Sequence, residues 1–174
     1  LSPLRSGNIS SRAKEGNIDG YLITPSGKRY ETLGPEDIIF MDLNSKAEIK
    51  ESDNIPSSEW KLHRDIYINK NEAQAIVHAH SPHASAVSSH GKSIPPFHYM
   101  IALAGGEDIK CAEYATFGTK ELSENIITAL ENRSACLMSN HGQVAFGKNL
   151  EDAFELAQEV ENICQQYIIA LKIG

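Results

Sequence analysis

Two histidines close an apolar hexapeptide, Ala75-Ile76-Val77-His78-Ala79-His80. Its length and β-branched centre predict a buried strand. Alternate strand residues share a face, so both imidazoles converge on one spot. Neutral imidazoles at the end of a buried run lose hydration unless something binds their lone pairs, and a divalent metal does so. A chain of 174 residues with 41% hydrophobic and 22% charged residues has core enough to bury such a strand within one domain spanning residues 1–174.

The charge pattern narrows the partners. Net charge is −7 and no Lys/Arg cluster stands out, which argues against nucleic acid. A small anion is compatible, because a site is positive or negative locally whatever the total. Cys111, Cys136 and Cys164 are odd in number, widely spaced and without a CxxC pair, so they predict a reducing, cytoplasmic setting and no disulfide framework. No apolar run approaches ~18 residues and no signal peptide is visible, so no membrane partner is expected. The opening Leu1-Ser2-Pro3 and the stop at Lys172-Ile173-Gly174, directly after a helical pattern, lead us to expect further residues at both ends.

Residues 7–50 read as short strands: Asn8-Ile9-Ser10, Tyr21 to Thr24, and Ile38 to Leu43. Gly7, Gly20, Pro25-Ser26-Gly27 and Gly34-Pro35 punctuate them. Pro56-Ser57-Ser58-Glu59 predicts a helix start, with a serine cap and an acid in the first turn. That helix runs to about Asn69 and buries Trp60, the Arg64 stem and Tyr67. A short helix over Pro82 to Ser89 follows the His78/His80 strand. Residues 98–104 and 109–112 are apolar but ambiguous. Leu122, Ile126, Ile127 and Leu130 mark a helix capped by Thr119. Ala135–Ser139 and Gln143–Phe146 read as strands joined around Asn140-His141-Gly142. From Leu150 to Leu171, Ala153, Leu156, Ala157, Val160, Ile163, Cys164, Tyr167 and Leu171 form the buried stripe of a long helix. Short, antiparallel-looking strands mixed with helices predict a three-layer α/β/α fold around a mainly antiparallel or mixed sheet.

His141 is the candidate third ligand, at a sharp turn where Gly142 permits unusual backbone; alone, it reads more readily as a solvent-exposed turn residue. Glu59 is the candidate carboxylate, although a helix start favours an acid anyway. Ser57 and Ser58, Ser26-Gly27 and Gly7-Asn8 are small polar turns whose amides suit an anion such as phosphate. His83 and His90 read as surface residues. His63 lies one turn beyond Glu59 on the same helix face, in a structural or acid-orienting position. His98 has no assigned role. Spacing alone therefore gives a metal site of unknown purpose.

Five segments occur in a telling order: Gly7-Asn8-Ile9-Ser10, Leu22-Ile23-Thr24-Pro25-Ser26-Gly27, Pro56-Ser57-Ser58-Glu59, His78-Ala79-His80 and Asn140-His141-Gly142. With Ile94 to Ala102 and Tyr114 to Glu124, they resemble the class II aldolase/adducin head family over essentially the whole chain, nearest its L-fuculose-1-phosphate aldolase branch. The resemblance implies that His78, His80 and His141 hold a catalytic Zn²⁺, and that Glu59 is the acid/base and leans on the metal. It implies that Gly7, Asn8, Ser26, Gly27, Ser57 and Ser58 bind the substrate phosphate. Tyr99 would handle the aldehyde oxygen, and Phe117 would shape the aldehyde pocket. The implied reaction is that of a lyase, reversible cleavage of a ketose 1-phosphate into dihydroxyacetone phosphate and a short aldehyde, in a cytoplasmic homotetramer.

Other family activities are alternatives: a 5-deoxy- or 5-methylthio-pentulose 1-phosphate aldolase, a 4-epimerase, a methylthioribulose-phosphate dehydratase or a decarboxylase. A non-catalytic adducin-like module is more remote, given the three histidines and Glu59. Two departures from the aldolases stand out. Arg5 occupies a place near the phosphate loop where they usually carry a small or hydroxyl residue, and this sequence ends before the C-terminal tail from which a neighbouring aldolase subunit contributes a tyrosine.

Overall fold

A computed structural model describes residues 1–2, 5–44 and 55–174. Residues 45–50, at the end of the stretch read as short strands, lie outside the described residues. Among the described residues seven strands, β1 (Asn8–Glu15), β2 (Ile18–Ile23), β3 (Ile39–Asp42), β4 (Ala75–Ala79), β5 (Cys111–Ala112), β6 (Ala135–Met138) and β7 (Gly142–Gly147), form one sheet in the order β3-β2-β1-β4-β7-β6-β5. Every pair is antiparallel except β5–β6. The helices are α1 (Trp60–Asn69), α2 (Pro82–Ser88), α3 (Lys120–Ala129) and α4 (Leu150–Ile173).

The strand pleat sorts the core into two layers. Ile76, Val144, Phe146, Cys136 and Met138 pack with Leu62, Ile66, Leu122 and Ile126 of α1 and α3. Their alternate neighbours Ala75, Val77, Ala145 and Leu137 pack with Ala84, Ala153, Ala157 and Val160 of α2 and α4. Helices on both faces make the fold a three-layer α/β/α arrangement. β4 is buried along its whole length because both its faces are covered.

Several local expectations need correction. Pro25 and Pro56, both buried, pair across a β-bridge, tying the loop after β2 to the approach of α1. No serine side chain caps α1: Glu59 occupies the cap position with no side-chain cap bond, so the acid lies before the first turn. The face α1 buries is Leu62, His63, Ile66 and Tyr67, while Trp60 and Arg64 stack on each other at its border. Along α4 the stripe ends early, for Leu171 is 66% exposed where the helix runs past the sheet. The ambiguous segments resolve as a 3₁₀ turn over Tyr99–Ala104 and as β5. His83 is not a free surface residue: its Nδ1 lies 2.6 Å from Glu161 Oε1, and that carboxylate also accepts from the His83 and Ala84 amides. Thr119 caps α3 as expected, accepting from the Leu122 amide. No helix of the described residues is long and apolar enough to cross a membrane.

Candidate metal centre and active site

The strand pairings bring distant segments to one end of the sheet. The starts of β1 and β7 meet the ends of β2, β4, β5 and β6 there, and the N-terminus of α1 points into the same place. His78 follows Ile76 on the α1 face of β4, and His80 lies one residue beyond the strand. His141 comes in from the β6–β7 turn. The three ring centroids are 4.7–4.9 Å apart. One ligand atom from each of Glu59, His78, His80 and His141 falls within 4.8 Å of the others. The four residues singled out as a metal set therefore do meet.

Close backbone approach makes this possible. A side chain at Gly142 would meet the Ala79 carbonyl oxygen at 2.4 Å, so only glycine lets the His141 turn lie against the end of β4. Gly142 was expected to supply unusual backbone; that role falls to Asn140, whose φ is 54°, and Gly142 supplies space instead. Gly7 supplies both: its φ is +80°, and a Cβ there would meet the His78 carbonyl oxygen at 2.5 Å. We expect Gly142→Ala to separate β7 from His80. It should lower stability by about 1–3 kcal/mol and reduce bound metal per chain, read by denaturant unfolding and by elemental analysis. Unchanged metal content in a folded variant would contradict this reading.

The donor atoms are oriented for a cation. His78 Nδ1 donates to the Gln143 carbonyl at 2.8 Å, which leaves its Nε2 lone pair facing the centre. That Nε2 lies 3.0 Å from His80 Nε2 and 3.0 Å from Glu59 Oε2. Glu59 Oε1, 3.3 Å from His141 Nε2, is buried with no hydrogen-bond partner among the described residues. Burial alone would push the Glu59 carboxyl up, but His78, then His141 and the Asn8 amide outweigh it and hold it well below the usual carboxylate range. Burial works against charge on His78 too, yet the Glu59 carboxylate raises it. His80 and His141 go down, His141 to about 4, through burial and then the neighbouring His78. The cluster therefore favours one positive centre shared among three rings and a carboxylate. A divalent cation supplies that centre and satisfies all three lone pairs, so these residues fit a metal.

Beside the cluster opens a pocket of about 370 Å³ whose lining includes Glu59, His80 and His141. Gly7, Asn8, Ser26, Gly27, Ser57, Ser58 and Phe117 line it as well. The Ser26 amide donates to the Ile55 carbonyl and the Ser57 amide to that of Thr24, which ties two of the small polar turns together. Asn8 has further contacts: its Nδ2 donates to Glu59 Oε2 and its side-chain oxygen meets His63 Nε2. Tyr99 is not among the pocket residues; it sits on the 3₁₀ turn against the α4 layer, 81% exposed. Arg5 does line the pocket, and its Nη1 donates to the Gly27 carbonyl at 3.0 Å. Tyr114 and Asn140 also line it and were not singled out. Tyr114 carried a signal, an aromatic three residues before Phe117 in a loop that must turn into α3. Asn140 carried one in its place before His141.

A profile of the Class II Aldolase and Adducin N-terminal domain family matches residues 1–168, and the chain belongs to that family. The L-fuculose phosphate aldolase of Escherichia coli (strain K12) is 49% identical over 167 residues, which cover 96% of this chain and 74% of that protein. The 5-methylthioribulose-1-phosphate/5-deoxyribulose-1-phosphate aldolase of Rhodospirillum rubrum is 46% identical over 168 residues, covering 97% and 73%. Among solved structures, an L-fuculose 1-phosphate aldolase superposes with a TM-score of 0.90 at 39% identity, over 100% of this chain and 80% of that one.

Proposed function

We propose that this chain is a zinc-dependent class II aldolase that reversibly cleaves a ketose 1-phosphate of the L-fuculose 1-phosphate kind into dihydroxyacetone phosphate and a short aldehyde. The observation that carries the proposal is the meeting of His78, His80, His141 and Glu59 beside a pocket lined by small polar turns. The three imidazoles and, at rest, Glu59 would hold the Zn²⁺. When bound, it supplies Lewis-acid stabilisation of charge that develops on substrate oxygens. Gly7, Asn8, Ser26, Gly27, Ser57 and Ser58 would receive the phosphate, the serines through their hydroxyls because the Ser26 and Ser57 amides are committed to the Ile55 and Thr24 carbonyls, which fixes the ketose beside the acid. Glu59 then removes the carbon-bound proton in condensation and returns one in cleavage. Phe117 would face the aldehyde, and Tyr99, outside the pocket of its own chain, would serve the oxygen of an aldehyde held by a neighbouring subunit. Family resemblance supports three further proposals: the metal is zinc, the chain is one domain of a homotetramer, and it works in the cytoplasm.

The similarity to the Rhodospirillum rubrum enzyme favours a second reading in which the aldehyde end is 5-deoxy or 5-methylthio. Few apolar contacts, each worth about 1–3 kcal/mol, separate such substrates. A panel of ketose 1-phosphates, with coupled detection of dihydroxyacetone phosphate, distinguishes them. We expect turnover that chelator abolishes and zinc restores, with one sugar preferred. Absence of dihydroxyacetone phosphate from every sugar would overturn the proposal.

A further inference from the structure

Between β1 and α1, deeper than the pocket, runs a chain of buried polar groups that ends on Glu59. Glu59, His63 and Tyr67 recur at helical spacing on one face of α1, while Asn8 and Ser10 share the facing side of β1. All five are buried, and His63 is fully so. Apolar side chains surround them: Ile23, Ile66 and Ile76 belong to the same layer. Polar groups in such a place destabilise unless every donor and acceptor is matched.

The ionised carboxylate dictates how they match. It only accepts, so the Asn8 Nδ2 donates to Oε2 at 3.0 Å. The Asn8 carbonyl oxygen then accepts from His63 Nε2 at 2.5 Å, which places the ring proton on Nε2. Nδ1 is left as an acceptor and takes the Ser10 hydroxyl hydrogen at 2.6 Å. Ser10, its one hydrogen used, accepts from the Tyr67 hydroxyl at 2.8 Å. Each donor thus points towards Glu59, and reversing any link requires the Asn8 amide to turn over.

We infer that His63 is a positioning residue for Glu59, locked as the Nε2–H tautomer by Ser10 and Tyr67 and acting through the Asn8 amide. The chain pins Oε2 and leaves Oε1, which has no hydrogen-bond partner among the described residues, as the oxygen that exchanges the proton. A hydrophobic residue at 63 would fill the same volume but let the Asn8 amide, and with it the carboxylate, rotate. The kinetic part of this inference rests on Glu59 being the acid/base.

The test compares His63→Leu, His63→Gln and Tyr67→Phe, in full-length zinc-loaded protein with L-fuculose 1-phosphate. Glutamine places its amide N–H near the position of the imidazole Nε2–H. We expect His63→Leu to lower kcat roughly 10–100-fold, with KM and bound zinc unchanged, and His63→Gln to recover most of the loss. Tyr67→Phe, which removes one hydroxyl and keeps the fold, should give a smaller fall in kcat. Wild-type kcat in His63→Leu, or equal loss in the leucine and glutamine variants, would overturn the inference. Two readouts hold even for a protein that cleaves none of the sugars. Long-range ¹⁵N–¹H spectra should show His63 as the Nε2–H tautomer, and the Asn8 side-chain amide should lose its exchange protection in His63→Leu. An Nδ1–H or doubly protonated His63 at neutral pH, or unchanged Asn8 protection, sinks the inference independently of the aldolase reading.

Discussion

Glu59→Gln should keep its metal and lose most of its activity. Glutamine has the shape of glutamate, still accepts from the Asn8 amide that holds Oε2 at 3.0 Å, and leaves the three imidazoles untouched. It has no basic oxygen with which to take a proton from carbon. A positioned acid/base contributes roughly 10²–10⁴-fold, so kcat should fall by that factor while KM changes little. The loss should appear in cleavage and in condensation alike, because one group serves both directions. Steady-state kinetics with elemental analysis of the same preparation decide the matter: a Glu59→Gln protein that turns over like wild type removes the acid/base assignment. If zinc is lost along with the rate, Glu59 is above all a metal ligand, and the proton carrier lies elsewhere in the pocket.

The parts of this site that were legible in sequence are those whose geometry is local. His78 and His80 share a face because strand side chains alternate, and the run Ala75–Ala79 is apolar because helices cover both sides of β4. The position of Glu59 at the start of α1 also followed from nearby residues. Its role in that helix did not, since the carboxylate turns away from the α1 amides towards His78 and His141. No spacing rule reveals that His141 joins His78, because the two are linked through the β4–β7 register, in which His78 lies opposite Val144; the ordered family motifs supplied that link. Asn8 shows the limit most clearly. Its turn-like neighbourhood suggested an anion loop, and it does line the pocket, but nothing local shows that the β1–β4 register sets it opposite His78 and facing α1, where its amide reaches Glu59 and His63. Tyr99, placed by resemblance, stands outside the pocket of its own chain, and no local pattern could report that.

Replacing His80 by alanine should abolish metal binding and activity together while the fold survives. His80 is less enclosed than His78: it lies past the end of β4, whereas His78 is buried and fastened to the Gln143 carbonyl. Truncating His78 would open a cavity in the sheet and orphan that carbonyl, which would confuse loss of metal with loss of structure. Removing His80 takes away one lone pair and leaves two imidazoles and a carboxylate. Because the metal binds the folded chain and hardly the unfolded one, it adds RT ln(1 + [M]/Kd) to stability, about 4 kcal/mol when free metal is a thousandfold above Kd. For a chain of this size that corresponds to roughly 8–16 °C in Tm. Wild-type protein should therefore melt lower by about that amount in chelator, recover on adding zinc, and lose activity in step. His80→Ala should melt at the wild-type chelated temperature with or without zinc, showing no shift. A variant that still gains stability from zinc, or a wild type whose Tm and turnover ignore chelator, would mean that the four residues do not act together on a cation.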